Sequence, residues 1–416
     1  MKTLVVTQYF WPEEFRINDI CEGLISKGNE VEVLTGLPNY PYGKLFDGYS
    51  FFSRGAKEYK KIKINRCYLI ERGQNSSIKL ALNYISFVLS SLFHLPKLMK
   101  KNFDNIFVFQ VSPITTAIPA IILSKVSKIP ASIYIQDLWP ETFYSIVNIK
   151  SKCIRNILKR ICIKIYDSFD QIVIASEGYR KILADEGVKN NKIVYLPQWA
   201  EDIYSDIECT HRTNIDVKDN DFVVTFAGNI GKAQSVETIV EAANLCKINN
   251  NKEIKWVILG DGSELENIKR LIQKYDLKEI VKVLGRKPTS DMPKYFNESD
   301  ALIVTLKNTD ILKITLPAKV QSYMASGKPI IGAISGAGMA TIHDARCGFI
   351  SEAEDFNGLY EKTIELYKMS ERERKKLGKN GIKYFKQNFE REMLLDKLED
   401  YLTSISKKSI GDESYV

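Results

Sequence analysis

The chain has 416 residues, of which 44% are hydrophobic and 26% charged, a composition typical of a globular protein with roughly two to three domains. Its seven cysteines are dispersed without a C-x-x-C pair. This argues against a disulfide framework or a zinc site and favours reduced thiols in the cytoplasm. The formal net charge of +8 fits an anionic membrane face or phosphate-bearing substrates, and because no recognisable nucleic-acid module is present, we expect no nucleic-acid partner.

Short runs rich in Val and Ile alternate with helical patterns along the chain. Such runs are typical of parallel strands that are buried on both faces. In the first half they lie at 3–8, 30–36, 105–112, 131–137 and 171–176, and in the second half at 222–228, 254–262, 281–285, 301–306 and 328–334. The repeated alternation predicts two doubly wound α/β domains, with a ligand cleft at the carboxyl ends of their strands. Because the first residues enter a strand directly, we expect no signal peptide.

A polar stretch at about 200–220 marks the boundary between the two domains. We therefore predict a first domain over residues 1–200 and a second over residues 201–385. An amphipathic pattern predicts a C-terminal helix over 386–405 that packs back on the first domain. We expect residues 406–416 to form a disordered tail.

Two segments of the first domain raise the question of membrane contact. The charge-free stretch 80–96 is shorter than the roughly 20 residues that a membrane span requires, so it predicts an amphipathic or core helix. In the segment 150–166, basic residues share one helical face and apolar residues another: Lys152, Arg155 and Lys159 against Ile154, Leu158 and Ile161. Such a helix can lie on anionic lipid, or its basic face can simply be solvated.

The first strand runs into the loop "QYFWPEEFRINDI" at residues 8–20. No glycine occurs before Gly23, which argues against a dinucleotide-binding turn at this point. The loop is aromatic and acidic, and it carries Arg16 and Asn18 into a helix. A packed loop with a solvated helix start is the alternative interpretation.

A second candidate loop, "YIQDLWPET" at 134–142, closes another strand of the first domain. Asp137 is predicted at the end of that strand, facing the cleft. Trp139 offers a flat apolar face of the kind on which sugar rings stack. The alternatives are a capping role for Asp137 and a core position for Trp139.

Three glycine-rich turns follow strands of the second domain, namely "AGNIGKAQ" (227–234), "LGDGSELE" (259–266) and "SGAGMATIHDA" (335–345). Gly228 and Gly231 permit a close approach of the backbone to a ligand, and Lys232 precedes a helix. A helix N-terminus with a nearby cation suits a diphosphate. Each turn alone is also compatible with an ordinary link between a strand and a helix.

The segment "ITLPAKVQSYMASGKPIIG" (314–332) predicts a helix that starts at Pro317 and ends at Gly327. Lys319 then lies in the first turn, where the helix dipole disfavours a cation. An anion that docks at this helix end would explain the lysine. A solvated surface lysine is the alternative.

Histidine and clustered carboxylates are scarce. The chain has three histidines, which gives little support to a Ser-His-Asp mechanism. The triplet Asp219, Asn220 and Asp221 resembles a metal-binding pattern, but its place in a polar linker favours a turn. We therefore expect neither a metal nor another cofactor.

Taken together, these motifs resemble the retaining nucleotide-sugar glycosyltransferases of family 4, which have the two-domain GT-B fold. The resemblance covers nearly the whole chain and rests on "QYFWPE", "GLPNYP", "QDLWPE", "LPQW", "GNIGKAQ", "LGDG" and "LPAKVQSYMASGKPI". It is greatest to bacterial enzymes of O-antigen and capsule assembly, including the N-acetyl-L-fucosamine transferase group.

The resemblance implies a UDP-sugar in the second domain, a lipid-diphosphate-linked saccharide acceptor at the first, and a peripheral location on the inner face of the cytoplasmic membrane. It implies catalytic roles for Lys319, Lys232 and Asp137. The donor-binding positions are Gly228, Asn229, Gly231, Gly260, Asp261, Gly285, Arg286, Ser322, Gly336, Gly338 and Met339. The acceptor-side positions are Arg16, Asn18, Trp139 and Glu141.

One departure concerns two glutamates that many members of the family carry around the helix of Lys319. Here Ile314 and Ser322 hold those positions. A serine can still hydrogen-bond a ribose hydroxyl, but less strongly than a carboxylate. A non-catalytic sugar-nucleotide-binding partner subunit therefore stays open as an alternative. A nucleotide-sugar 2-epimerase, which shares the architecture, is another, but the scarcity of histidine counts against it.

Overall fold

The apolar runs form two parallel sheets, each in its own part of the chain. The computed structural model describes residues 1–73, 76–146, 151–200, 202–204, 213 and 215–412. The chain divides into unit 1, which comprises Met1–Leu196 and Leu395–Val416, and unit 2, Pro197–Leu394. Each unit is a doubly wound α/β domain, so the predicted fold class is confirmed.

The sheet of unit 1 has the strand order β3-β4-β2-β1-β5-β6-β7-β8 and is parallel except for the β3–β4 pair. Its strands are β1 (Lys2–Val6), β2 (Glu30–Gly36), β3 (Glu58–Tyr59), β4 (Ile62–Cys67), β5 (Asn105–Gln110), β6 (Ala131–Ile135), β7 (Gln171–Ile174) and β8 (Ile193–Tyr195). The strand order reverses between β1 and β5, which is the usual position of a ligand crevice in such sheets.

Helices and loops connect the strands of unit 1. They are α1 (Arg16–Ser26), α2 (Ser77–Leu92), α3 (Leu95–Leu98), α4 (Ile118–Ser127), α5 (Glu141–Ile146), α6 (Lys152–Asp167) and α7 (Gly178–Asp185). Both α2 and α6 pack against a short 3-10 turn, Ile114–Ala117. Among the described residues, no helix is both long and apolar enough to cross a membrane.

The sheet of unit 2 is parallel, with the order β11-β10-β9-β12-β13-β14. Its strands are β9 (Phe222–Ala227), β10 (Ile254–Leu259), β11 (Val281–Gly285), β12 (Ala301–Thr305), β13 (Ile330–Ala333) and β14 (Gly348–Ser351). The switch point lies between β9 and β12. Hydrophobic clusters pack on the two faces of this sheet, one around Trp256 and the other around Tyr323.

The helices of unit 2 flank this sheet. They are α8 (Glu237–Ile248), α9 (Leu265–Lys274), α10 (Met292–Asn297), α11 (Asp310–Ile314), α12 (Ala318–Ala325), α13 (Ala337–Ala345), α14 (Phe356–Lys368) and α15 (Glu371–Asn388). The next helix, α16 (Arg391–Asp412), begins in unit 2 and from Leu395 onward belongs to unit 1.

The C-terminal prediction needs a correction. The last helix was expected over 386–405, but α15 still occupies 386–388 and α16 runs from Arg391 to Asp412. The expected disorder of 406–416 is therefore wrong as far as Asp412, and 413–416 lie outside the described residues. The Ser406 hydroxyl contacts the Asn105 amide, which ties the helix to unit 1 beyond residue 405.

Candidate active site

The glycine turns after β9, β10 and β11 lie against one another at the carboxyl edge of the unit 2 sheet. The Ile230 N–H donates to the Asp261 carbonyl at 2.8 Å, and the Gly260 N–H donates to the Gly285 carbonyl at 2.9 Å. A Cβ on Gly260 would lie 1.8 Å from the Gly228 carbonyl oxygen, a distance that no side chain allows. The turns therefore form a surface of backbone atoms that reaches the switch point at β9, and its binding of a diphosphate stays a prediction.

Lys319 lies against this surface. Its Nζ atom is 3.9 Å from the centre of the Phe226 ring and 2.9 Å from the point that a Cβ on residue 228 would occupy. The atom is buried, and no hydrogen-bond partner for it exists among the described residues. Burial lowers the pKa of Lys319 to about 7. A buried cation without a carboxylate partner is costly, and an anionic ligand would compensate for that cost.

Helix α12 positions the lysine through a tyrosine one turn later. The helix starts after Pro317, and Gly327 follows it with a left-handed φ of 70°, so both predicted ends are close to the observed ones. The buried Tyr323 hydroxyl accepts a hydrogen bond from the Ala227 N–H at 3.0 Å and lies 3.2 Å from the Ala227 carbonyl. Because Ala227 ends β9, this contact fixes Lys319 relative to the turn at Gly228.

A second helix start lies beside the first. Gly336 caps α13 with a left-handed φ of 71°, and no side chain caps this end. A Cβ on Gly338 would lie 3.1 Å from Cδ of Pro317, so the N-termini of α13 and α12 are neighbours. Helix N-termini carry partial positive charge, and two adjacent ones add to the potential of Lys319. Met339 lies in the first turn of α13.

The remaining donor-side residues surround this edge. Lys232 is exposed and opens a short 3-10 turn, Lys232–Gln234, whose Gln234 side chain accepts from the Asn229 amide. Asp261 and Arg286 are also exposed. Ser322 is half-buried and lies three residues after Lys319, on the same face of α12. Their contacts with a donor stay predictions.

In unit 1, the loop after β1 contains a buried carboxylate that the sequence pattern does not distinguish from its neighbour Glu14. Glu13 is 1% exposed, and its carboxylate accepts hydrogen bonds from the N–H groups of Asn39 at 2.9 Å and Tyr40 at 2.7 Å. A third comes from the Phe10 N–H at 3.3 Å. Burial raises the pKa of Glu13 to about 7, although these hydrogen bonds oppose the shift.

Asp137 and Trp139 meet at a shared serine. The Ser112 hydroxyl donates to the Asp137 carboxylate at 2.9 Å and accepts from the Trp139 indole N–H at 3.1 Å. Burial raises the pKa of Asp137, and the Ser112 hydrogen bond opposes this. Phe143 stacks on Trp139, with ring centres 5.0 Å apart, so one face of the indole is covered. Asp137 is half-buried after β6, near the predicted position.

The other acceptor-side residues have partners within unit 1. The Asn18 side chain accepts from the Trp11 N–H at 3.0 Å and donates to the Glu13 carbonyl at 2.7 Å, so it braces the loop after β1. Arg16 lies 3.8 Å from the Asp19 carboxylate. Glu141 begins α5. Their contacts with an acceptor stay predictions, and for Asn18 the structure shows a bracing role that the motif did not suggest.

The described part of the chain also bears on metal binding. No three His, Cys, Asp or Glu side chains there lie together in an arrangement that could hold a metal ion. Asp221 accepts from the Lys218 N–H at 2.8 Å, which makes the Asp-Asn-Asp triplet part of a turn, as favoured above. The histidine at 211 lies outside the described residues.

Comparison with known proteins finds similarity to glycosyltransferases. Residues 209–384 match the family Glycosyl transferases group 1. WcaI of Escherichia coli (strain K12), which is named as a colanic acid biosynthesis glycosyl transferase, is 23% identical over 342 residues, 79% of this chain and 82% of that protein. The capsular polysaccharide biosynthesis glycosyltransferase CapM of Staphylococcus aureus is 22% identical over 256 residues, 60% of this chain and 65% of that protein.

The fold is similar to that of solved GT-B enzymes. The crystal structure of Anabaena HepE in complex with UDP and glucose matches with a TM-score of 0.70 at 15% identity, and covers 97% of this chain and 100% of that one. The chain therefore has the GT-B fold, and both the family match of residues 209–384 and the related sequences are to glycosyltransferases.

Proposed function

We propose that this enzyme transfers a sugar from a UDP-sugar to a lipid-diphosphate-linked saccharide, with retention of configuration and without a metal ion, during assembly of a bacterial surface polysaccharide. The observation that carries the proposal is the buried, unpartnered Nζ of Lys319 beside the backbone turn at Gly228. The names of WcaI and CapM, and the UDP named with HepE, support the polysaccharide and the nucleotide.

The reaction breaks the bond between the anomeric carbon and a phosphate oxygen, so negative charge grows on the departing diphosphate. Lys319 and the adjacent N-termini of α12 and α13 would stabilise that charge in the transition state. Lys232 would add a flexible cation from the turn after Gly231. We assign to Asp137, whose pKa is raised by burial, the proton of the acceptor hydroxyl that forms the new glycosidic bond.

We also propose peripheral contact with the inner face of the cytoplasmic membrane through α6. Its Ile154, Ile157 and Ile161 are 50%, 52% and 49% exposed. The exposed apolar face thus contains Ile157 in place of the predicted Leu158, which is half-buried. Lys152 and Arg155 flank this stripe, whereas Lys159 pairs with Glu186. Exposed isoleucines beside cations suit the surface of an anionic bilayer.

The proposed reaction is tested with the purified full chain. UDP-sugars are first screened for thermal stabilisation, and hits are then incubated with lipid-linked saccharides, with and without EDTA. Release of UDP that requires the acceptor and survives EDTA supports the proposal. Conversion of the UDP-sugar without acceptor would indicate a 2-epimerase instead, and binding without any turnover would indicate a partner subunit.

A further inference from the structure

A groove in unit 1 lies apart from the residues assigned above. It has a volume of about 760 Å³, within the range of roughly 300–1,000 Å³ that is usual for ligand sites. The segment before β3, the outer part of β4 and the end of α2 enclose it. Its walls include Phe51, Arg54, Lys57, Leu89, Phe93 and Lys97.

The groove is positively charged. Arg54, Lys57 and Lys97 line it, and no Asp or Glu is among its lining residues. Across the described part of the chain, no ion pair joins any of these three cations to a carboxylate. Burial lowers the pKa of the neighbouring His94, and the positive charges of Arg54 and Lys97 lower it further. Such a site favours a ligand with more than one negative charge.

An exposed apolar stripe on α2 and on its C-cap residue leads into the groove. It consists of Ile78, Leu82, Ile85, Leu89 and Phe93, which are 75%, 42%, 54%, 57% and 86% exposed. Their spacing of three and four residues places them on one helical face. Leu89 and Phe93 belong to both the stripe and the groove. An uninterrupted row of exposed large apolar side chains is unusual for a surface helix and indicates an apolar partner.

The middle of α2 is anchored at the candidate acceptor site. The buried Asn83 amide donates to the Ile70 carbonyl at 2.5 Å and accepts from Gln8, which follows β1, at 2.7 Å. Phe93 lies ten residues further along, which is roughly 15 Å at the helical rise. The groove therefore lies a few sugar-ring lengths from the strand ends that carry the candidate acceptor residues.

We infer that this groove binds the diphosphate of the lipid-linked acceptor and that the stripe on α2 carries the first part of its hydrocarbon chain. The inference rests on the proposed lipid-linked acceptor and adds its binding site. Three cations without carboxylates match a diphosphate, and the stripe that begins in the groove matches a chain attached to that diphosphate. The saccharide would then extend along α2 toward Asn83 and the strand ends.

The test measures binding of a soluble probe, farnesyl diphosphate, to the full chain by calorimetry in saturating UDP, which blocks the nucleotide site. We expect the double variant R54A/K57A to weaken binding by about 10-fold or more, because charge-assisted hydrogen bonds are lost. L89S/F93S should weaken binding several-fold. The control K181A/K189A, which removes one exposed lysine on α7 and one just after it, should leave binding unchanged. Inorganic diphosphate should bind more weakly than the prenyl compound.

Several results would overturn the inference. They are displacement of the probe by UDP, equal affinity in R54A/K57A, equal affinity for inorganic diphosphate, and full displacement by phosphatidylglycerol vesicles, which would indicate an ordinary lipid headgroup. A dimer that L89S/F93S dissociates would assign the stripe to a second copy of the chain. Because the assay needs no turnover, a failure of the proposed transfer reaction would leave its outcome readable.

Discussion

The loops at the carboxyl ends of the two sheets differ in composition: backbone atoms of glycine turns dominate in unit 2, and side chains dominate in unit 1. In unit 2 the strands end in glycine turns whose backbones touch, and the one buried charge assigned there, Lys319, has no protein partner among the described residues. In unit 1 the strands end in aromatic and polar side chains, and a buried carboxylate, Glu13, accepts three backbone hydrogen bonds.

This difference separates a candidate binding surface in unit 2 from a braced loop in unit 1. A surface of backbone with an unsatisfied cation is ready for an anion, because the ligand supplies the missing partner. A carboxylate that already accepts three backbone hydrogen bonds instead holds together the loops after β1 and β2. We therefore expect removal of Lys319 to affect catalysis, and removal of Glu13 to affect stability.

The largest expected effect follows from Lys319→Ala. Removing a cation that acts on the leaving group typically reduces kcat by on the order of 10²-fold or more, with a smaller change in KM. Lys319→Arg should restore part of the activity, because its guanidinium is larger and differently shaped. The measurement is steady-state kinetics, with circular dichroism to confirm folding.

Two further variants separate function from packing at this position. Lys319→Met keeps most of the side-chain stem over Phe226, so the free protein should be at least as stable as the wild type while kcat falls. The control is Lys328→Ala, another lysine whose pKa burial lowers but whose amine donates to the Asn297 carbonyl at 2.8 Å. It should lower the melting temperature and spare kcat. A folded Lys319→Ala enzyme with normal kcat would contradict the catalytic role assigned to Lys319, and with it the proposed difference between the two units.

The second effect concerns Glu13 and the pH dependence of stability. The folded pKa of about 7 lies above the unfolded value of 4.5, so between these values the folded state holds a proton that the unfolded state has released. Stability should therefore decrease as pH rises through this window, by about 3 kcal/mol in total. Glu13→Gln should show no such decrease in urea unfolding measured from pH 4.5 to 7.5.

The kinetics of Glu13→Gln test whether this carboxylate also takes part in the reaction. Its kcat should stay within a few-fold of the wild type, since the carboxylate is assigned to bracing. A large loss of kcat with an unchanged stability profile would instead make Glu13 part of the reaction.

The third effect is proton uptake when UDP binds. The folded pKa of about 7 lies below the unfolded 10.5, so at pH 8 most of the free enzyme has a neutral Lys319. A diphosphate favours the ammonium, and binding above pH 7 should take up a proton. As the pH rises above 7, the affinity for UDP should weaken by up to about tenfold for each pH unit. Calorimetry in buffers of different ionisation enthalpy measures this uptake, and Lys319→Met should abolish it.

The smallest effect is expected for Ser322→Ala. One hydrogen bond to a ribose hydroxyl is worth about 0.5–1.5 kcal/mol, so the Kd for UDP should rise a few-fold and kcat should hardly change. Ser326→Ala is the control, because this serine caps the end of α12 and its hydroxyl donates to the Tyr323 carbonyl at 2.8 Å. Equal weakening in both variants would point to the helix and not to the ribose.

Much of the fold could be predicted because buried parallel strands leave a continuous apolar signal. β2 and β11 have the predicted bounds, 30–36 and 281–285. β4 was missed because exposed Lys63 and half-buried Asn65 interrupt its apolar residues at the edge region of the sheet. β14 was missed because it is four residues long, begins with glycine, and is mostly half-buried.

The candidate site could be predicted only as far as local sequence determines it. Lys319 is unusual in a first helical turn, and that is visible in the sequence. Its lack of a partner and its position over Phe226 depend on residues 93 positions apart in the chain. Similarly, the sequence does not tell which of Glu13 and Glu14 is buried. Glu13 is the buried one because the N–H groups of Asn39 and Tyr40, in the loop after β2, donate to its carboxylate.

The two-part composition of unit 1 has a consequence for synthesis of the chain. Unit 2 is one stretch of 198 residues, 197 to 394 inclusive, whereas unit 1 needs α16, whose Leu395, Leu398 and Leu402 are buried. At about 5–20 residues per second, the ribosome makes unit 2 in roughly 10 to 40 s, and during that time unit 1 lacks its closing helix. A nascent chain therefore exposes the surface of α1 around Gly23, on which Leu395 later packs. Exposed apolar surface of this kind is what chaperones bind.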